Sequence, residues 1–325
     1  MKHLDLNSKW ERIVKFKNKK GYSALRISST CLPDLFLATD TEGYRCLLLY
    51  LPKNMKVKIK GADKNKLLLS FLPSKGILLI KLKDFDFIDL FNDLILSIYT
   101  KIKLISKSDK ASEDLIITFY KWSDFFEDSL RNKLSEEQVK GLFGELYTLN
   151  EYIKESNPSS VNSILSSWKG LYDAANDFEF DLKNVEVKTK KESQPFVNIS
   201  SEFQLDKEFD KGLELFVVTV KIDLVEGKSI LDMLLENIKR IRENFGDLSI
   251  LYQALNQKGL TTDNLKQYNN HRFVVTKTEL FDAAISNFPK LSRSNIVNEI
   301  SNLKYKLRVT KLDQFLIELK KYEKW

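Results

Sequence analysis

The chain has 325 residues, of which 43% are hydrophobic and 30% are charged, a composition typical of a folded globular protein with room for more than one domain. Two cysteines and two histidines are too few for a disulfide framework or a structural zinc site. The net charge of +7 favours an acidic partner such as nucleic acid, although a general abundance of lysine would produce the same charge.

The sequence pattern of residues 1–82 predicts a β-rich region. Short runs of apolar, β-branched and aromatic residues alternate with turn signals such as Pro33-Asp34 and Gly61-Ala62-Asp63. We expect strands at residues 23–27, 35–39, 44–51, 56–60, 67–71 and 77–82.

A helix is predicted over residues 84–103, where apolar side chains recur at helical spacing. Four aspartates in this segment, at positions 84, 86, 89 and 93, exclude a membrane span. Because the first residues also lack an apolar run, we expect a cytoplasmic protein that does not contact a membrane.

The polar stretch at residues 106–112 is the best candidate for a linker. It predicts a β-rich N-terminal domain over residues 1–110, ending in the helix, and a second domain over residues 111–325. A helix at about 113–132 would open the second domain, and the spacing of its aromatic residues indicates core packing.

The next helix begins with a sequence typical of a capping box, in which Ser135 is the N-cap and Gln138 reaches back to it. Glu145 lies at the border of the apolar face of this helix, where it could point into a cleft or be an ordinary boundary glutamate. Gly141 and Gly144 each cost about 1 kcal/mol of helix stability relative to alanine, and their plausible benefit is a close approach to another backbone.

The sequence pattern of residues 176–189 predicts two short strands joined by a tight turn. Asp177 opens the first strand, and Glu186 and Lys188 share one face of the second because side chains alternate along a strand. Two carboxylates on a rigid sheet are suitable ligands for Mg²⁺, and a nearby lysine can orient a water molecule or neutralise a phosphate. The alternative is a surface hairpin with a cross-strand Glu/Lys pair.

Beyond the hairpin, we expect strands at residues 196–200 and 215–220 and an amphipathic helix from Ser229 to Phe245. In the last 80 residues we expect a helix at 278–287, a strand at 304–309 and a helix at 312–322. Lys190 and Lys191 directly follow the strand segment that carries Glu186 and Lys188, and they could hold a phosphate near a bound metal. Further basic clusters lie at residues 15–20 and 56–66, and each is a candidate DNA contact or a solvated face.

Five motifs in this order resemble the PD-(D/E)XK nuclease superfamily, and in particular a poorly characterised bacterial branch associated with restriction and anti-phage loci. The motifs are Gly-Leu-Phe-Gly-Glu-Leu (141–146), Trp168-Lys169-Gly170, Asp177-Phe178, Glu186-Val187-Lys188-Thr189 and Ile-Ser-Ser-Glu-Phe-Gln-Leu (199–205). The resemblance is strongest over residues 135–225. One departure is that Asn176, not proline, precedes the aspartate.

The resemblance implies an α/β (α+β) fold, with a restriction-endonuclease-like core of a mixed central sheet flanked by helices. It implies that Glu145, Asp177 and Glu186 bind Mg²⁺ or Mn²⁺ and that Lys188 assists the nucleophile. Gln204 falls where related enzymes often place a polar residue after the sheet, although a glutamine on a helix surface is the other interpretation.

The predicted function is therefore a Mg²⁺-dependent DNA endonuclease of the restriction or anti-phage type. The alternative is a catalytically silent module with the same fold that binds DNA or scaffolds a defence complex. No Walker-type loop is present, so an ATP-driven step would need an ATPase or helicase partner. A methyltransferase partner and a homodimer are further expectations.

Overall fold

A computed structural model describes residues 6–13, 21–55, 57, 59, 61–126, 133–172 and 174–322. The chain forms two compact units, Met1–Ser129 and Leu130–Trp325. Both units mix helices and sheets, which confirms the predicted fold class. Among the described helices, none combines the length and the apolarity that crossing a bilayer requires.

The first unit is built on a six-stranded antiparallel sheet with the strand order β1-β2-β3-β6-β5-β4. Its strands are β1 (Ser23–Arg26), β2 (Asp34–Thr39), β3 (Arg45–Tyr50), β4 (Ala62–Asp63), β5 (Leu67–Leu72) and β6 (Ile77–Leu82). Five of the six predicted strands are confirmed. In the predicted strand at 56–60, three lysines lie outside the described residues, and Val57 and Ile59 belong to no strand.

Among the described residues of this unit, three helices accompany the sheet: α1 (Leu6–Glu11), α2 (Ile88–Ile102) and α3 (Ser108–Ser123). The α2 helix follows a short 3₁₀ turn that Asp84 caps by accepting a hydrogen bond from the Asp86 N–H. The predicted linker at 106–112 is wrong, because Ser108 to Ser112 form the first turn of α3 and Ala111 is buried. The whole of α3 belongs to the first unit, so the units divide after Ser129 and not at residue 110.

The second unit has a five-stranded mixed sheet with the order β13-β11-β10-β8-β7 and a separate two-stranded ribbon, β12-β9. Strands β8 and β10 are parallel, and the other pairs are antiparallel. The strands are β7 (Phe178–Glu179), β8 (Lys183–Lys191), β9 (Phe196–Ile199), β10 (Gly212–Ile222), β11 (Phe273–Asp282), β12 (Tyr305–Arg308) and β13 (Leu316–Lys321).

The helices of the second unit are α4 (Glu136–Glu155), α5 (Val161–Ser167), α6 (Ile230–Glu243) and α7 (Leu248–Gln257). Both capping boxes that open α4 and α6 are formed, at Ser135 and Ser229. The α4 helix packs against β8, where Gly144 lies directly over Thr189: a Cβ on Gly144 would stand 1.8 Å from the threonine Oγ1. The predicted close approach is therefore present at Gly144, whereas the space beside Gly141 is open.

The opposite face of the sheet is covered over part of its length by the β9–β12 ribbon. The shared core lies between them and is formed by the buried side chains of Val197, Ile199, Leu205, Leu213, Leu215, Val217, Phe281, Leu307 and Phe315. Alternate residues of β8 on this face are Glu186, Lys188 and Lys190, because Leu215, Val217 and Thr219 of β10 are their direct neighbours. The sheet thus places the acid-x-lysine triplet at the edge of a packed core.

Two predicted helices near the C-terminus are wrong. Residues 278–282 are the second half of strand β11, which pairs with β10 along almost its whole length, and residues 312–322 contain the edge strand β13. The apolar residues in both segments fit a helical period, but the β-branched run Val274-Val275-Thr276 favours a strand. The helix α5 was missed within a Ser- and Asn-rich segment, and α7 was missed in a segment that shows no clear pattern.

Candidate active site

Asp177 immediately precedes β7, and backbone N–H groups of two neighbouring segments hold it in place. Its carbonyl oxygen accepts hydrogen bonds from the N–H groups of Lys169 (2.7 Å) and Gly170 (3.1 Å). Its carboxylate Oδ2 accepts a hydrogen bond from the Val187 N–H on β8 at 2.8 Å. The hairpin thereby fixes the Asp177 carboxylate beside the strand that carries the acid-x-lysine triplet.

Glu145 reaches the same place from helix α4. Its Oε2 accepts a hydrogen bond from the indole N–H of Trp168 at 2.9 Å. Gly170 lies between the two acids: a Cβ there would stand 2.2 Å from Glu145 Oε2 and 2.9 Å from Asp177 Oδ1. The two carboxylates therefore face one small space that only a glycine leaves open.

Glu186 is the most buried of the three acids, with 1% of its surface exposed. Its Oε2 accepts a hydrogen bond from the Asn176 side-chain amide at 3.4 Å. The Lys188 ammonium lies 2.6 Å from Oε1, close enough for an ion pair, although Oε1 receives no aligned hydrogen bond from the described residues. A metal at Oε1 would therefore share this oxygen with the Lys188 ammonium or displace it.

Gln204 orients Lys188. Its side-chain oxygen accepts hydrogen bonds from Lys188 Nζ (3.1 Å) and from the Ser200 N–H (2.8 Å). The Gln204 carbonyl oxygen also accepts a hydrogen bond from the Asn176 amide at 2.7 Å. Gln204 lies in a turn and not on a helix surface, and this turn folds back onto β8, so the structure brings Gln204 to the other four residues.

The three acids repel one another in a poorly solvated space. Burial and the charge of Asp177 raise the pKa of Glu186 to about 8. Burial, again with the charge of Asp177, raises the pKa of Glu145 well above its ordinary value, and burial raises the pKa of Asp177. For Lys188, burial disfavours the ammonium, but the charges of Glu186 and Asp177 outweigh it and raise the pKa. Lys188 is therefore a cation at neutral pH.

Lys190 does not join this cluster. It is buried on the same face of β8, two residues beyond Lys188, and its charged neighbours are Lys277, Glu279 and Glu192. Burial and the charge of Lys277 lower the pKa of Lys190.

The other predicted basic clusters belong to the first unit. Residues 15–20, Lys56, Lys58 and Lys60 lie outside the described residues. Lys66 is buried with its ammonium 3.9 Å from the centre of the Phe87 ring, and Lys64 pairs with Asp124 at 2.9 Å.

The donor atoms fit a hard divalent cation. Mg²⁺ takes oxygen ligands, needs only one or two carboxylates and keeps several of its waters. The Glu145 and Asp177 oxygens share the space beside Gly170, and Glu186 Oε1 is a buried oxygen without an aligned donor. In the part of the chain that the structure describes, no three acidic, histidine or cysteine side chains are already assembled around one metal position. A three-carboxylate site would therefore require side-chain rotation, whereas a two-carboxylate site fits the donor set.

Three further residues shape the site, and the sequence pattern did not reveal their roles. Trp168 holds Glu145, Gly170 leaves room for two carboxylates, and Asn176 joins Glu186 to the Gln204 turn. The motif Trp168-Lys169-Gly170 was a signal for the first two. Asn176 gave no signal, because its partners lie 10 and 28 residues away.

Comparison with known proteins gives one family. The family model described as "Putative PD-(D/E)XK family member, (DUF4420)" matches residues 6–310. No curated protein and no solved structure matches the chain. Members of the PD-(D/E)XK superfamily are mostly nucleases and typically use divalent metals. Because the match covers nearly the whole chain, this protein belongs to the DUF4420 family of the PD-(D/E)XK superfamily.

Proposed function

We propose that this protein is a Mg²⁺-dependent DNA endonuclease of the restriction or anti-phage type. The observation that carries the proposal is the convergence of Glu145, Asp177 and Glu186 from a helix and a hairpin, with Lys188 beside them. Buried like charges destabilise a fold unless a cation or a proton compensates them. Such a cluster is poorly suited to a structural role and well suited to metal binding.

In this proposal, Asp177 and Glu186 hold Mg²⁺, and Glu145 completes or supports its ligand set. The bound Mg²⁺ would supply Lewis acidity at the phosphate and a water of lowered pKa. Trp168 and Asn176 fix the orientations of the Glu145 and Glu186 carboxylates through their hydrogen bonds. Gln204 holds the Lys188 ammonium near Glu186.

Lys188 acts through its charge. Its raised pKa keeps the ammonium protonated at neutral pH, so it can donate hydrogen bonds but does not remove a proton. An ammonium at this place can orient the attacking water and stabilise the negative charge that develops on the phosphate. This role differs from that of a general base, which would need a lowered pKa.

Assembly and partners are further parts of the proposal. One site hydrolyses one strand, so cleavage of both strands would require a homodimer or two successive events. An ATPase or helicase partner would supply an ATP-driven step, for which the sequence has no Walker-type loop, and a methyltransferase partner is a further part of the proposal. The β-rich first unit is the proposed recognition module for DNA or for such a partner.

A second candidate is a catalytically silent module that binds DNA or scaffolds a defence complex. The supporting observation is that Lys188 lies against Glu186 Oε1, while no three-ligand cluster is assembled within the described residues. Thermal unfolding with and without metal distinguishes the two candidates. The nuclease should gain several degrees in Tm with Mg²⁺ or Mn²⁺, because a cation relieves the carboxylate repulsion, whereas the silent module should not respond.

The direct test is plasmid cleavage by the purified protein with Mg²⁺ or Mn²⁺, beside the isosteric Glu186→Gln variant. We expect nicking or linearisation by the wild-type protein only, and none in EDTA. Equal cleavage by Glu186→Gln would show that the activity arises elsewhere. A wild-type protein that neither cleaves nor responds to metal in its Tm would favour the silent module.

A further inference from the structure

A groove of about 500 Å³ lies on the second unit and is lined by four lysines. They are Lys190 of β8, Lys221 of β10, Lys277 of β11 and Lys321 of β13, and the acidic side chain in the lining is Glu192. The groove therefore has an excess of positive charge that comes from four different strands.

Strand register explains why these lysines meet. Thr219 of β10 is the direct neighbour of Lys190 on one side and of Lys277 on the other, and Lys277 is in turn paired with Lys321. Residues directly opposite each other in a sheet share a face. Lys190, Thr219, Lys277 and Lys321 thus form one row across the sheet, which we call the lysine row; at a strand spacing of about 4.8 Å it spans roughly 14 Å.

The lysine row lies on the same face as the candidate active site. Lys190 follows Lys188 by two residues and Glu186 by four residues on β8, and alternate residues of a strand share a face. A strand rises about 3.3 Å per residue, so the row is roughly 7 Å beyond Lys188 and 13 Å beyond Glu186. Duplex DNA rises about 3.4 Å per nucleotide, so these distances correspond to two to four nucleotides.

Two of the groove lysines are available for a ligand. Lys221 and Lys321 are exposed, and neither has an acidic partner at ion-pair distance in the chain segments that the structure describes. Lys277 pairs with Glu279 at 2.8 Å, while Lys190 is buried beside Lys277 and is repelled by its charge. A bound anion would relieve that repulsion.

We infer that the lysine row, together with Lys221, binds the phosphodiester backbone of duplex DNA and leads one strand to the Asp177–Glu186–Lys188 site. The part of this inference that concerns the route of one DNA strand to the site rests on the proposed nuclease function. Binding itself requires only the charges and their spacing. Phosphate contacts of this kind position a duplex without reading its sequence.

The test measures binding of a short duplex DNA in EDTA, where hydrolysis cannot occur, at several salt concentrations. The variant Lys221→Gln/Lys321→Gln removes two exposed positive charges from the groove. Each phosphate contact contributes about 0.9 to the slope of log Kobs against log[salt]. We expect this slope to fall by about 1.8 and the affinity to fall about tenfold or more at 100 mM salt.

The matched control is Lys239→Gln/Lys320→Gln, which removes the same net charge outside the groove. Lys320 precedes Lys321 on β13 but faces the other side of the sheet, where it pairs with Glu155 at 2.9 Å. Lys239 lies exposed on α6. The control should keep the wild-type salt slope, and a duplex RNA of the same length, measured in parallel, reports whether the groove prefers DNA.

The outcomes separate this inference from the proposed function. A lower DNA affinity and a smaller salt slope in the groove variant, but not in the control variant, would support the inference, even if the wild-type protein cleaved no DNA. Equal effects in both double variants, or no DNA binding by the wild-type protein, would overturn it. Metal-dependent cleavage by the wild-type protein, together with unchanged DNA binding by the groove variant, would support the nuclease function but contradict the groove as the DNA-binding surface. Tighter binding of duplex RNA than of duplex DNA would contradict DNA as the ligand of the groove.

Discussion

Glu186 lies between a carboxylate that repels its charge and an ammonium that attracts it. Burial and Asp177 together outweigh Lys188 and raise the pKa of Glu186 to about 8. Because the folded state then holds a proton that the unfolded state has lost, the free energy of unfolding decreases as the pH rises from about 4.5 to 8. This decrease is the contribution of Glu186 in the absence of metal.

The corresponding prediction concerns Glu186→Gln in EDTA. Urea unfolding between pH 5 and pH 8.5 should show a stability that declines with pH in the wild-type protein and declines less in the variant. The exposed Glu299→Gln is the control and should follow the wild-type curve. A Glu186→Gln curve parallel to that of the wild-type protein would mean that Glu186 titrates normally.

Gly170 gives a second test at the scale of one residue. Alanine at this position would place a methyl group 2.2 Å from Glu145 Oε2 and 2.9 Å from Asp177 Oδ1, so both carboxylates must shift away from it. We expect Gly170→Ala to lose at least tenfold in cleavage rate and to lose most of the Tm gain with Mg²⁺. Wild-type rates in this variant would show that the two carboxylates need not share that space.

At the scale of elements, the contact between α4 and β8 determines where Glu145 points. The two glycines of α4 should respond oppositely to alanine, since Gly144 lies over Thr189 and Gly141 faces open space. Gly141→Ala should stabilise the protein by up to about 1 kcal/mol through helix propensity. Gly144→Ala should destabilise it by about 1–3 kcal/mol through overpacking.

Chemical denaturation of both variants measures this difference. Gly144→Ala should also reduce cleavage, because a shift of α4 moves Glu145 away from Asp177, while Gly141→Ala should keep full activity. If both substitutions stabilised the protein equally, the close packing of α4 on β8 would not exist in solution.

The elements also show which parts of the fold can be predicted from sequence. The α4 capping box, the β7–β8 hairpin and the helix after Ser229 were predicted correctly, because their signals lie within a few neighbouring residues. The strands β11 and β13 were taken for helices. Their partners are distant in sequence, and the Leu316-Ile317-Glu318-Leu319 edge is mostly exposed, so it lacks the alternating burial that marks a strand.

The candidate site divides in the same way. Asp177, Glu186 and Lys188 could be selected as candidates because they belong to one hairpin, and Glu145 because it lies at the border of the apolar face of α4 and matches the family motif. The contacts of Asn176, Ser200 and Gln204 could not be predicted, because they depend on a turn that folds back onto β8. Lys190 was assigned to the site by its position in the sequence, whereas its charged neighbours in space are Lys277, Glu279 and Glu192.

For the molecule as a whole, the second unit contains every described residue of the candidate site and the lysine row. The family match extends over both units. The excess of positive charge in the chain is consistent with a polyanionic substrate, and the groove indicates where part of that charge would contact it.

The most direct measurement is the rate of duplex DNA cleavage by Asp177→Asn, combined with its thermal stability. This substitution removes a repulsive charge and retains an oxygen for the Val187 N–H, so the metal-free variant should melt at a higher temperature than the wild-type protein at pH 8. The account predicts that this more stable variant neither cleaves DNA nor gains Tm with Mg²⁺. Cleavage at the wild-type rate by a folded Asp177→Asn would contradict the assignment of this site.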